Sequence, residues 1–359
     1  MAGARQVTIV GAGVVGLITA IRCATAGHRV TVLDRGAIPN PLCTSFDQHR
    51  AIRALDPPNV AATRRGERML RRWLALESLL GQRFCHRVGV LTAWPADGID
   101  AVLGVAAAAG LPVSLVEPDK FPHIVFPAGT VGVVEPDAGA LLAERVLVAA
   151  AGWLAEQPSV TLRPGCRVTE VDADRGQVVL AGGDVVAADL VLVAGGPWTR
   201  DLVDVPVALH RQTMVYLRPP ADLADWWRSA PSAGRIGADG SAWLLPPVAG
   251  TDLKISGGVS CRQVVTTDDA DRDENHWAAK VLAASILSDV DRYRVVAVRR
   301  CHYATDPATG ADLLTRVGAT VWARAACGGV GFRAAPLVAD RIAAALAQSQ
   351  ENANPRDEP

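Results

Sequence analysis

Val7-Thr-Ile-Val10-Gly11-Ala-Gly13-Val-Val-Gly16, continued by Arg29-Val-Thr-Val-Leu-Asp34, is the stretch whose reading decides the fold. Residues 7–10 are an apolar, β-branched run of the length of one buried strand. Residues 14–26 read as a helix ended by Gly27, and residues 29–33 as a second buried strand. Between strand and helix, Gly11 permits a tight turn, and Gly13 lets a pyrophosphate approach the backbone. Gly16 lets the helix pack closely on the strand. The helix N-terminus faces the phosphates with N–H groups that have no partner within the helix. Asp34 ends the second strand 23 residues after Gly11, where a carboxylate accepts ribose hydroxyls and repels a 2′-phosphate. Glycine-rich turns are common, but strand, glycines, helix, strand and acid in this order point to a dinucleotide.

A second stretch chooses between dinucleotides. Asp189-Leu-Val-Leu-Val-Ala194-Gly195-Gly-Pro-Trp198 is a strand running into a turn of small residues. It resembles the second flavin-proximal motif of two-dinucleotide-fold flavoproteins, where a strand end passes close to the cofactor. Paired with the first fingerprint it favours FAD over NAD. The expected fold class is therefore α/β (α+β overall), with a Rossmann-like FAD-binding domain and a second, mainly antiparallel β substrate domain.

Composition narrows the class of partner. A chain of 359 residues buries a large core and commonly makes two domains. With 36 basic and 37 acidic residues the net charge is −1, which gives no electrostatic reason to expect nucleic acid or an anionic membrane. No apolar run reaches membrane-spanning length. Six residues precede the first strand, so no signal peptide is expected. The seven cysteines are scattered, with no pair at CxxC spacing, so neither a metal site nor a redox dithiol is expected. That pattern suits a reducing cytoplasm.

Along the chain, residues 62–80 read as an amphipathic helix, with Leu70, Trp73, Leu74 and Leu79 among arginines. Short strands with a brief helix near 100–109 follow, then a helix over 138–152. Residues 167–171, 178–180 and 190–194 read as strands, and 206–303 as antiparallel structure with a helical break near 273–287. A last strand over 319–323 leads through a glycine-rich turn into a helix over 334–348. The α/β pieces recur, so two discontinuous domains are expected. Residues 1–86, 138–205 and 304–350 make the FAD-binding domain, 87–137 and 206–303 the substrate domain, and 351–359 a disordered tail.

Four further stretches, in order, give the chain a family likeness. Thr44-Ser-Phe-Asp47-Gln-His-Arg50-Ala-Ile-Arg53 keeps an Arg-x-x-Arg after the second strand. Asp252-Leu-Lys254-Ile-Ser sets a lysine in an apolar strand. Cys301-His-Tyr303-Ala-Thr305-Asp306 and Gly329-Val330-Gly331-Phe332-Arg333 lie near the C-terminus. With the fingerprint they resemble the D-amino-acid-oxidase superfamily, within it the monomeric sarcosine oxidase and N-methyltryptophan oxidase group, over almost the whole length.

The resemblance implies roles. Arg53 and Arg333 become a clamp for a substrate carboxylate, since guanidinium groups hold carboxylates through paired charge-assisted bonds. Arg333 stands where the family has lysine. Lys254 becomes the oxygen-activating lysine, although a lysine on an alternating strand also reads as a solvent-facing side chain. Cys301 is placed where the group attaches FAD through a thioether, with His49 as the rival position. Arg50, Val168, Gly195, Gly329, Gly331 and Phe332 are assigned to the cofactor beside Gly11, Gly13, Gly16 and Asp34; Tyr303 and Trp243 are assigned to the reacting centre. The helix after Phe332 adds positive charge at its N-terminus, suited to the flavin's N1/C2 carbonyl edge. Val330 replaces a family histidine, Gly258 stands where close relatives place another, and Trp243 lies near a pocket tyrosine of theirs. These changes imply a more apolar pocket than one for sarcosine.

The expected activity is oxidation of a carboxylate-bearing amine (a secondary amine, cyclic imino acid or amino acid) to an imine, with dioxygen reduced to hydrogen peroxide. Two alternatives stand: a same-fold dehydrogenase of an amine or 2-hydroxy acid using a non-oxygen acceptor, and a non-catalytic flavin-binding module. A monomer or weak homo-oligomer is expected.

Overall fold

The computed structural model describes residues 3–268 and 274–353. Its contacts divide the chain into two compact units, Met1–Phe46, Glu144–Leu209 and Tyr303–Pro359 in the first, Asp47–Ala143 and His210–His302 in the second. Residues 47–86, grouped by sequence with the nucleotide-binding part, have their contacts in the second unit.

The first unit is built on a six-stranded sheet in the order Asp312–Arg316, Val321–Cys327, Leu190–Val193, Gln6–Val10, Arg29–Leu33, Val160–Arg163. All neighbours are parallel except the first pair. The central strands are buried, which is why they read as continuous apolar runs without alternation. The helix Val14–Thr25 packs against the helix Gly331–Ala353, and Arg22 Nε meets Asp340 Oδ1 at 3.2 Å between them. A three-stranded antiparallel meander, Val168–Asp172, Gln177–Leu180 and Val185–Ala187, joins the same apolar cluster as Val10 and Leu33.

The second unit carries a nine-stranded sheet, antiparallel in most pairings, with Ser232–Ile236 running parallel to Val90–Pro95. Leu253–Gly257 lies between Ala208–Arg218 and Ala242–Leu245 and is buried at every residue. A small three-stranded sheet pairs Gly139–Leu141 with Arg50–Ile52 and Cys85–His86. This corrects the expected helix over 138–152. Gly139 must come so close to His86 that a Cβ would stand 2.0 Å from the His86 carbonyl oxygen. The apolar residues Ala140 and Leu141 serve that strand, and the helix begins only at Ala143, as Ala143–Ala155. The pairing partners are distant in sequence, so local periodicity could not disclose them.

The C-terminal elements also differ. The last strand is Val321–Cys327, and the helix spans Gly331–Ala353, putting Phe332 and Arg333 in its first turn instead of before it. Residues 351–353 continue the helix where a disordered tail was expected; 354–359 lie outside the described residues. The helical break near 273–287 is Glu274–Ala283, and residue 273 lies outside the described residues.

Candidate active site

In the first unit the fingerprint glycines close on one another. Gly11 adopts φ +106°, and a Cβ there would lie 2.5 Å from the Ala194 carbonyl oxygen. The turn at Ala194 and Gly195 therefore abuts the first glycine, joining the two motifs read separately from sequence. Ala194 N donates to Val10 O at 2.8 Å and fixes that approach. A Cβ on Gly16 would stand 1.9 Å from the Gly11 carbonyl oxygen, so helix and strand touch there. Gly13 is more open, its nearest neighbour being Ser45 Oγ at 3.2 Å from a Cβ. Ser45 Oγ also accepts from Val14 N at 3.1 Å and so occupies the head of the helix. Ser45 belongs to the quoted stretch Thr44–Arg53, but no spacing in the sequence ties it to the helix.

Asp34 is more engaged than expected. Its Oδ2 accepts from Ala12 N at 2.9 Å, and its Oδ1 from Gly36 N at 2.8 Å and Asn40 Nδ2 at 3.0 Å. Of the roughly four lone-pair sites on a carboxylate, three are in use. The acid thus ties the glycine turn to the following loop and has one acceptor site left on Oδ2. Val168 is buried in the cluster that includes Leu33, one residue before Asp34. Beside Gly195, Thr199 Oγ1 is buried with no hydrogen-bond partner among the described residues. A glycine cradle, a helix N-terminus, an acid at the strand end and an orphaned hydroxyl together fit a dinucleotide such as FAD.

The other first-unit candidates cluster around the last helix. Gly328 and Gly329 take φ +56° and +72° and turn the chain from Val321–Cys327 into the helix. Gly331 is bound to stay a glycine, since a Cβ would meet Cys327 Cβ at 2.8 Å. Phe332 is buried, and Arg333 and Tyr303 are half-buried.

The second unit holds a buried network of charges that the sequence disclosed only in part. Lys254, on the central strand, is 1% exposed, so the solvent-facing reading does not hold. Its Nζ donates to Asp47 Oδ2, and to His49 O at 3.2 Å. Asp47 also accepts from Arg50 Nη1 and Tyr216 Oη. Burial works to raise the Asp47 carboxyl, but the Arg50 and Lys254 cations prevail and hold it well below the usual carboxylate range. Burial, then the Arg50 charge, lowers Lys254 to about 8, with Asp47 opposing. Burial and the Asp47 charge push the Tyr216 phenol up, so it stays a neutral donor. The Lys254 ammonium lies 5.5 Å from the Trp243 ring centre and 5.8 Å from that of Tyr216, within cation–π range. Cys301 is half-buried and near enough to Arg50 and Lys254 that a thiolate there would favour both cations.

His49 is fully enclosed, with Nε2 3.0 Å from Pro246 O, which requires the tautomer protonated at Nε2. Burial, then the Lys254 charge, drives its pKa down to about 3, so the ring is neutral. Its ring lies in the core of the second unit, with Nδ1 buried and without a hydrogen-bond partner among the described residues. Arg53 Nη1 donates to Leu55 O, turning the guanidinium back onto its own loop. Gly258 opens a short turn, and a Cβ there would lie 3.0 Å from Ser241 Cβ. No group of three or more potential metal ligands occurs among the described residues.

The sequence matches the family described as FAD dependent oxidoreductase over residues 6–345. The chain belongs to that family. Among curated relatives it is 26% identical over 249 residues to a glycine oxidase of Pseudomonas putida, covering 61% of this chain and 64% of the relative. It is 24% identical over 256 residues to peroxisomal sarcosine oxidase of Mus musculus, covering 68% of this chain and 62% of the relative. The alignments thus span less than two thirds of those relatives' length. The fold is that of a fructosyl peptide oxidase from Aspergillus nidulans, with TM-score 0.78, 19% identity, and 97% and 91% of the two chains covered. An amino acid oxidase of nikkomycin biosynthesis gives TM-score 0.74 at 19% identity, over 94% and 92% of the two chains. No helix among the described residues is long and apolar enough to cross a membrane.

Proposed function

We propose that the chain is an FAD-dependent oxidase of a carboxylate-bearing amine, giving an imine and hydrogen peroxide. The observation that supports this most is the Lys254 ammonium, retained in the core between two aromatic rings at the cost of its hydration. The curated relatives, which are named for glycine and sarcosine oxidation, support the substrate class.

Bound FAD would supply the two-electron redox chemistry. Gly11, Gly13, Gly16, Gly195 and Asp34 would hold its pyrophosphate and ribose, with Arg50, Val168, Gly329, Gly331 and Phe332 completing the site. Cys301 would anchor it through a thioether. Arg53 and Arg333 would bind the substrate carboxylate by charge-assisted bonds, leaving Trp243 and Tyr303 to bound the rest of the substrate. The substrate amine must be neutral to react, so its oxidation favours alkaline pH. The amine gives up two electrons and two protons, and dioxygen takes up both pairs as hydrogen peroxide. Lys254 would stabilise the negative charge that dioxygen acquires on the way. Val330, Gly258 and Trp243 favour a bulky or cyclic amino acid over sarcosine. A reducing, cytoplasmic setting is part of the same proposal and rests on the scattered cysteine spacing.

A second reading draws on Asp47. A carboxylate against the Lys254 ammonium reduces the field available to dioxygen, as in a dehydrogenase that passes electrons elsewhere.

A panel of amino acids tests the reading: sarcosine, glycine, proline, pipecolate and phenylalanine, each beside its decarboxylated amine. Under nitrogen, at least one acid should bleach the flavin much faster than its amine partner. Equal rates within every pair, or no bleaching at all, would remove the carboxylate-bearing amine as substrate class.

A further inference from the structure

In the second unit the segment that carries Arg53 is held from several sides. Ala54 N and Leu55 N both donate to Glu135 Oε2, at 2.7 and 3.0 Å. Asp56 N donates to Thr63 Oγ1 at 3.1 Å. Opposite, Gly66 brings the helix Val60–Leu80 so close that a Cβ would stand 2.6 Å from Ala54 Cα. Arg53 Nη1 then rests on Leu55 O, in the backbone so fixed.

Glu135 is itself immobilised. It ends the strand Thr130–Glu135 opposite Val90, and it is 2% exposed. Burying a carboxylate is costly unless strong bonds compensate, and two backbone N–H groups on one oxygen are of that kind. Two amides of adjacent residues on one carboxyl oxygen fix the Ala54–Leu55 backbone relative to the strand that carries Glu135. Bidentate recognition by a guanidinium demands orientation to within about 10–20°, and Leu55 O takes up one of the five donors Arg53 has to offer.

We propose that Glu135 is a positioning residue for recognition of the substrate carboxylate, fixing the Ala54–Leu55 backbone on which the Arg53 guanidinium is set. The inference rests on the reading of Arg53 as a carboxylate anchor. Glu135 touches neither substrate nor cofactor in this scheme; it acts through Arg53.

The experiment measures specificity constants of holoenzyme variants with the fastest acid of the panel above and with its decarboxylated amine. Glu135→Gln should lower the acid-to-amine ratio by roughly tenfold to a hundredfold, mainly through KM. Arg53→Ala should lower it at least as far, and the double variant should be no worse than Arg53→Ala, because both changes remove one function. If Glu135→Gln depresses acid and amine equally, or adds fully to Arg53→Ala, Glu135 is a structural brace alone and the inference is overturned while the Arg53 reading stands. If Arg53→Ala leaves the ratio unchanged, or nothing in the panel reduces the flavin, the reading beneath fails and takes the inference with it. Glu135→Asp, which keeps the charge and withdraws it by one methylene, replaces Glu135→Gln should that variant not fold. Failure of both to fold beside a normal Arg53→Ala protein also overturns the inference.

Discussion

Lys254 donates to the carboxylate of Asp47, 207 residues away in sequence, and both side chains are almost completely buried. Arg50 and Tyr216 converge on the same carboxylate, so one anion serves two cations and a phenol. Removing the anion leaves Lys254 and Arg50 facing each other without it in a medium that screens poorly. Asp47→Asn should therefore destabilise the protein by about 3–5 kcal/mol. Adding Lys254→Met should restore part of that loss. Urea unfolding with an unchanged slope reads both effects; a single variant within about 0.5 kcal/mol of wild type would show that the pair contributes little.

Oxygen reactivity should follow the proton on Lys254. Lysine carries its charge below its pKa, and burial brings that value down to about 8. The rate of reoxidation by air should fall as pH rises through about 8, while anaerobic reduction by substrate rises with pH. Lys254→Met should slow reoxidation by orders of magnitude at neutral pH and spare anaerobic reduction. Stopped-flow traces give both half-reactions; an unchanged oxygen rate in the variant would favour the non-oxygen acceptor.

The glycine cradle makes a sharper demand. A Cβ on Gly13 already lies 3.2 Å from Ser45 Oγ, and larger branches would fill the space a pyrophosphate needs. Gly13→Val should give a folded but colourless protein, judged by circular dichroism and flavin absorbance. Stoichiometric flavin in that variant would contradict the placement of the cofactor.

The residues behind these three predictions differ in how far the sequence disclosed them. Gly11, Gly13, Gly16 and Asp34 were legible because strand, turn and helix are contiguous and their periodicities change over a few residues. Lys254 stood out as a cation among apolar neighbours. Asp47 did not: an acid in a polar turn looks solvated until the fold brings Lys254 and Tyr216 to it. Glu135 was hidden for the same reason, since its partners Ala54 and Leu55 use backbone groups that every residue has. The helix expected over 138–152 failed at its start because strand pairing across Gly139 is non-local.

Cys301 offers a test by eye. If it anchors the flavin, acid precipitation should leave the yellow colour in the pellet, and Cys301→Ser should release it to the supernatant. Colour lost from the wild-type pellet would mean the cofactor is held by non-covalent contacts alone.

The most direct test of oxidation of a carboxylate-bearing amine is product stoichiometry. Wild-type holoenzyme is reduced under nitrogen with the fastest acid of the panel, air is admitted, and hydrogen peroxide is counted against substrate consumed. One peroxide per amine oxidised, with the flavin colour returning at once, is the predicted result. Flavin that stays bleached in air and recovers only with an added quinone would contradict the oxidase account.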